Sequence, residues 1–109
     1  MDLINFDDFS KVEIKMGKIT ACEKVADADK LLKLQVDFGE FQRQIVSGIA
    51  LSYSPEEMVG KTLPFIVNLE PRKFKGEESQ GMLMATGSSQ EDIVLLEPNK
   101  YVAPGSEVV

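Results

Sequence analysis

The sequence predicts an all-β fold of five or six strands with one short helix, bent round into a closed barrel. Three features carry that prediction. Residues 30–38 alternate without a break: Leu32, Leu34, Val36 and Phe38 face one way and Lys33, Gln35 and Asp37 the other, the period of a half-buried strand. Residues 11–25 also alternate but change phase, the apolar set passing from Val12, Ile14 and Met16 to Ile19, Ala21 and Val25. A one-residue slip turns every side chain to the opposite face, so this strand needs an extra residue, and Gly17 is the expected place for it. A long strand bent at a bulge can serve both sides of a small barrel. The third feature is Ser54-Pro55-Glu56-Glu57, with serine at the N-cap, proline at N1 and glutamate at N3. That start opens a helix which Gly60 ends after little more than a turn, giving a plug for the barrel's end.

The remaining elements follow in order. In Met1–Ser10, Asn5 or Asp7 caps a single turn with Phe6 and Phe9 on one face, expected to pack over one end of the sheet or to form a subunit contact. Asp27–Asp29 is a turn. Its two carboxylates lack the further oxygen ligands of a calcium loop. Gly39-Glu40 turns the chain into a strand over 41–48, and Lys61–Leu69 is the next strand, with Pro64 at an edge or strand start. After a loop over 68–82 come Gly81–Thr86, a turn at 87–89, a short buried run Ile93–Leu96 and a tail ending on Val108-Val109, expected to dock or pair. This order is that of the OB-fold, a five-stranded Greek-key barrel with a short helix and extra terminal strands, here one domain over residues 1–109.

Composition narrows the chemistry. There is no histidine and a single cysteine, Cys22, which removes His-based catalysis and the usual zinc ligand sets. No nucleophile–base pair and no glycine-rich phosphate loop is present, so no catalytic residue, metal or cofactor is expected. The lone cysteine reads as a buried small side chain in a reducing, cytoplasmic protein, and no apolar run is long enough to span a bilayer.

The net charge of −6 is unevenly spread: segments 1–29, 30–60, 61–75 and 76–109 carry −3, −1, +3 and −5. The basic excess ends in the loop NLEPRKFKGEESQGM, residues 68–82, where Pro71 and Gly76 break regular structure and Arg72, Lys73 and Lys75 crowd together. The plain alternative is a solvated connection with ordinary surface lysines. A barrel of this type binds nucleic acid across its second and third strands and the adjoining loops. Lys30, Lys33 and Arg43 come from that strand region, and Arg43 and Ser47 share a face with Lys33 in one of the possible registers. Asn68, Ser79 and Gln80 can reach sugar hydroxyls, Met82 a base, and Phe74 is the best stacking candidate. With so few free aromatics, a folded RNA recognised by shape fits better than a stacked single strand.

The wording of the loop, N-L-x-P-R-K-x-x-G-x-x-S-x-G-M, resembles the tRNA-binding domain appended to methionyl-tRNA synthetases and also found free-standing. Phe6-Asp7-Asp8-Phe9 with Val12–Gly17, then Asp29–Leu34 and Val46-Ser47-Gly48-Ile49, match further blocks of that family at fitting separations. The resemblance implies a homodimer that grips the outer corner of tRNA and supports aminoacylation, with the synthetase catalytic domain as a further partner. Carried over by motif position, the contacts are Asn68, Arg72, Lys73, Ser79 and Met82, followed by Lys30, Arg43 and Ser47. One departure is Glu77-Glu78, which brings the loop itself to zero net charge.

Two other readings compete. CsaA-type secretion chaperones share the fold but typically lack the S-G-I and S-x-G-M wording; such a chaperone would hold peptide in an apolar groove with little dependence on salt. A purely structural dimerisation module of a synthetase would form a stable dimer with no RNA affinity.

Overall fold

A computed structural model describes all 109 residues. Strand β1 spans Ile14–Val25, β2 Ala28–Asp37, β3 Gln42–Ser47 and β4 Thr62–Ile66. Short strands follow: β5 Arg72–Phe74, β6 Glu77–Ser79, β7 Met82–Leu83, β8 Ala85–Gly87 and β9 Ile93–Leu95. The main sheet has five antiparallel strands in the order β3-β2-β1-β4-β7, an OB-like arrangement. β1 organises it, because residues 14–18 pair with β4 and residues 18–25 pair with β2.

The bulge lies elsewhere than expected. The register slips between Ile19 and Ala21, opposite Val36 and Gln35, so Thr20 rather than Gly17 is the extra residue. Gly17 has a different job: a Cβ there would stand 2.5 Å from Val36 Cγ1 and 2.6 Å from Phe38 Cε1. The glycine lets β1 pass directly over the core. A glycine marks either a bulge or a close approach, and the sequence alone does not separate the two.

Leu32, Leu34, Val36 and Phe38 are fully buried, as their alternation requires, and with Ile19, Ile45, Leu63 and Phe65 they form the barrel core. The helix α2, Pro55–Met58, has the full capping box at Ser54 and Glu57 and buries Met58 at the barrel's end. The tail runs along β1: Met16 N donates to Ser106 O, Gly105 N to Met16 O and Val108 N to Ile14 O.

Of the two expectations for the N-terminal turn, packing over the sheet is not met. Helix α1, Phe6–Phe9, is capped by Asn5 as predicted but buries none of its residues, leaving Phe6 and Phe9 75% and 49% exposed. It stands off the sheet. No helix is long and apolar enough to cross a membrane.

Candidate nucleic-acid interface

The loop over 68–82 folds into a hairpin of its own. Lys75 and Gly76 have φ of 53° and 82°, the two left-handed residues of a type I′ turn, and they reverse the chain between β5 and β6. Arg72 lies opposite Ser79, Lys73 opposite Glu78 and Phe74 opposite Glu77. Cross-strand partners share a face, so Ser79 and Phe74 turn towards the barrel while Lys73 and Glu78 turn outward. The Arg72 guanidinium sits 5.1 Å from the centre of the Phe74 ring, which covers one face of Phe74 with a cation.

The strand that leaves the hairpin closes the barrel against β3, and side chains make most of the seam. Gln80 N donates to Gln44 O at 2.7 Å, and Gln44 N donates back to Gln80 Oε1 at 3.0 Å. Val46 N donates to Ser79 Oγ, and that hydroxyl donates to Gly81 O, both at 3.0 Å. Gln44 Nε2 adds a bond to Glu78 O. Ser79, 3% exposed, therefore completes the sheet. Asn68 is similarly occupied: it accepts from Glu13 N and donates to Lys11 O, pinning the start of β1 beside the hairpin's base.

The β2–β3 register settles the faces. Val36 pairs with Arg43 and Leu32 with Ser47, whereas Lys33 pairs with Val46. Arg43 and Ser47 thus lie on the face opposite Lys33. Arg43 reaches the barrel's end, donating to Val67 O and Gln80 O while stacking 4.6 Å over Phe41. Lys33 is held between two carboxylates, 2.9 Å from Glu23 and 3.3 Å from Glu77.

Arg72, Lys73, Lys75 and Lys30 remain. All are exposed and none joins any of the ion pairs, which use Lys11, Lys33 and Lys61. Clefts flank the hairpin on both sides. One, of about 450 Å³, is lined by Leu69, Glu70, Pro71, Arg72 and Met82; the other, of about 320 Å³, brings Lys75 at the hairpin tip to Lys30, with Asp27 and Asp29 also in its wall. A third opening of about 670 Å³ at the hairpin's base is lined by Phe41, Arg43, Asn68 and Gln80. Most of the candidates are therefore grouped around the hairpin, and Ser47 lies on the same face of β3 as Arg43. Sequence patterning did not single out Gln44 or Glu23 and marked Glu77 only as a negative charge beside the basic cluster; their roles arise only from the way strands distant in sequence meet.

Comparison with known proteins gives the family and the fold. A family profile described as "Putative tRNA binding domain" matches residues 14–107. The chain is 49% identical over 105 residues to the methionine–tRNA ligase of Bacteroides fragilis, and that match covers 96% of this chain but 16% of the ligase. The crystal structure of a MetRS-related protein from Pyrococcus horikoshii superposes with a TM-score of 0.93 at 42% identity, covering 100% of both chains. The chaperone CsaA from Bacillus anthracis has the same fold, with a TM-score of 0.90 at 28% identity over 99% of this chain and 100% of that one. A compact β-barrel, a basic hairpin beside its third strand and a profile match over nearly the whole chain lead to one assignment: the protein belongs to the tRNA-binding domain family.

Proposed function

We propose that this chain binds folded tRNA through the β5–β6 hairpin and its flanking clefts, as a non-catalytic module that supports aminoacylation by a methionyl-tRNA synthetase in the cytoplasm. The observation that carries this reading is the grouping of four unpaired, exposed cations, Arg72, Lys73, Lys75 and Lys30, round one rim of a protein whose net charge is −6. A rim of that kind attracts a polyanion locally while the rest of the surface repels it, so the partner must present its phosphates in a matching shape. Arg72 and Lys73 are placed to grip phosphates and Met82 to meet a sugar or base, while Phe74, turned towards the barrel, supports the Arg72 guanidinium. Asn68, Ser79, Gln80 and Arg43 hold the rim in shape and face the RNA only with atoms left over from that work. Residues 1–109 act as one unit.

The test is a gel shift with total tRNA. Arg72→Ala combined with Lys73→Ala should abolish the shift while the circular dichroism spectrum stays unchanged; a double variant that still shifts tRNA normally would place the site elsewhere.

The same reading includes a homodimer. Phe6, Phe9, Tyr101, Val108 and Val109 leave apolar surface uncovered at the two ends of the chain, and two copies would cover it. Light scattering at two concentrations should give twice the chain mass, and a monomer at both would remove the dimer from the proposal.

A peptide-binding reading draws on the likeness to CsaA and on the 670 Å³ opening, whose walls include Phe41, Val67, Leu69 and Pro71. Its signature would be peptide binding that varies little with salt.

A further inference from the structure

Lys33 lies on the strand face where a barrel of this kind meets nucleic acid, yet its ammonium is already engaged. Glu23 is its cross-strand neighbour on β1, and Glu77 stands on the hairpin strand β6, beyond β3. The Lys33 side chain is 19% exposed and that of Glu77 35%, so this pair is partly shielded from water, whereas Glu23 reaches Lys33 from the solvent side at 66% exposure. The two carboxylates hold the ammonium above the usual lysine range, the hydrogen bond to Glu23 contributing most. The place where this strut attaches also matters. The seam with β3 fixes the hairpin at Glu78, Ser79 and Gln80, and between Arg72 and Glu77 the bond from Lys33 is the one hydrogen bond that joins the hairpin to the barrel. Beyond Glu78 towards the tip, nothing else of that kind sets the angle at which Arg72, Lys73 and Lys75 are held.

We propose that the Glu23–Lys33–Glu77 chain is a strut that sets the pose of the basic hairpin, so that Lys33 serves tRNA binding as a positioning residue through Glu77 rather than as a phosphate contact. The strut also bears on the charge of the hairpin. Glu77 is partly answered from the barrel by Lys33, which it shares with Glu23, so the hairpin presents its three cations against Glu78 and a screened Glu77. This inference deepens the tRNA-binding reading and rests on it for its functional consequence, whereas its structural half does not need RNA.

The two routes by which Lys33 could act differ in measurable ways. A phosphate contact releases counterions, so removing it lowers the salt slope of binding by about 0.7–0.9, and does so whatever stands at position 77. A strut acts through its partner. Lys33→Met should weaken tRNA binding roughly tenfold, within the range seen for directly coupled neighbours, and leave the salt slope unchanged. The same substitution made in a Glu77→Gln protein should cost little further. Equal losses in both backgrounds, or a slope reduced by one contact, would overturn the strut.

Amide exchange on the same variants without RNA separates this outcome from the functional reading. Lys33→Met should speed exchange in residues 72–79 while β1, β2 and β4 keep their protection. Unchanged hairpin exchange would overturn the strut even if tRNA binds, and a wild-type chain that binds no tRNA but loosens its hairpin on Lys33→Met would retain the strut and remove the RNA reading.

Discussion

At Gly17 the backbone of β1 runs against Val36 and Phe38 with no room for a methyl group, the nearest atom being 2.5 Å from where a Cβ would stand. Gly17→Ala should lower the urea-unfolding free energy by about 1–3 kcal/mol, the usual cost of overpacking a core. Ser79 works in the opposite sense, by supplying an acceptor. Ser79→Ala leaves the Val46 amide buried without its partner and should cost about 1–3 kcal/mol in the same measurement. Both residues stand out in the sequence, one as a glycine in an alternating run and the other as a hydroxyl beside a basic cluster. What each one touches was not legible, because Val46 and Ser79 are 33 positions apart and no periodicity links them. Cys22 gives a pH prediction. Burial first, then Glu56 and Glu23, push its thiol from the ordinary 9.0 up to about 11. A raised folded value means the native state keeps a proton that the unfolded chain gives up, so this contribution to stability is whole below pH 9.0 and is lost as pH rises towards about 11. Alkylation by iodoacetamide should accordingly be slow at pH 8 and still be accelerating above about pH 10, where a thiol of the ordinary value, 9.0, is already mostly thiolate and has levelled off.

Among the elements, β2 and α2 are those the sequence specifies best, since unbroken alternation and a capping box each have one structural meaning. The β5–β6 hairpin is specified poorly. Its strands are three residues each, too short for alternation to register, and its turn uses lysine where asparagine or glycine is usual. Pro71 and Gly76 therefore read as breaks in a loop. The register between β2 and β3 is likewise a tertiary fact, and it is what divides Lys33 from Arg43 and Ser47. The hairpin's turn can be tested alone. Gly76 has φ of 82° with open space where a Cβ would lie, so Gly76→Ala meets strain without a clash. That strain is about 1–2 kcal/mol and falls on the hairpin, not on the core. Gly76→Ala should weaken tRNA binding while the midpoint of global unfolding moves little.

For the whole molecule the decisive property is a small positive rim on an acidic body. Four cations that are free to meet phosphates predict a slope of log affinity against log salt near −3, from about −0.7 to −0.9 for each contact. The acidic remainder, −3 over residues 1–29 and −5 over 76–109, should exclude plain duplex DNA, which has the charge but not the fold of tRNA. A titration of both nucleic acids across a salt series checks the two expectations together. Segment charges made this asymmetry legible in advance; the geometry adds that Lys33 is withdrawn from the rim.

The join between β3 and the hairpin strand is stitched largely by amide and hydroxyl side chains, and it lies directly beneath the cationic finger. Such stitching opens more easily than a continuous ladder, so the cylinder has one fastening that a polyanion clamped from outside would press shut. Bound tRNA should then slow deuterium uptake at the Gln44 and Val46 amides more than anywhere else in the interior, which would make nucleic acid the latch of the fold that receives it.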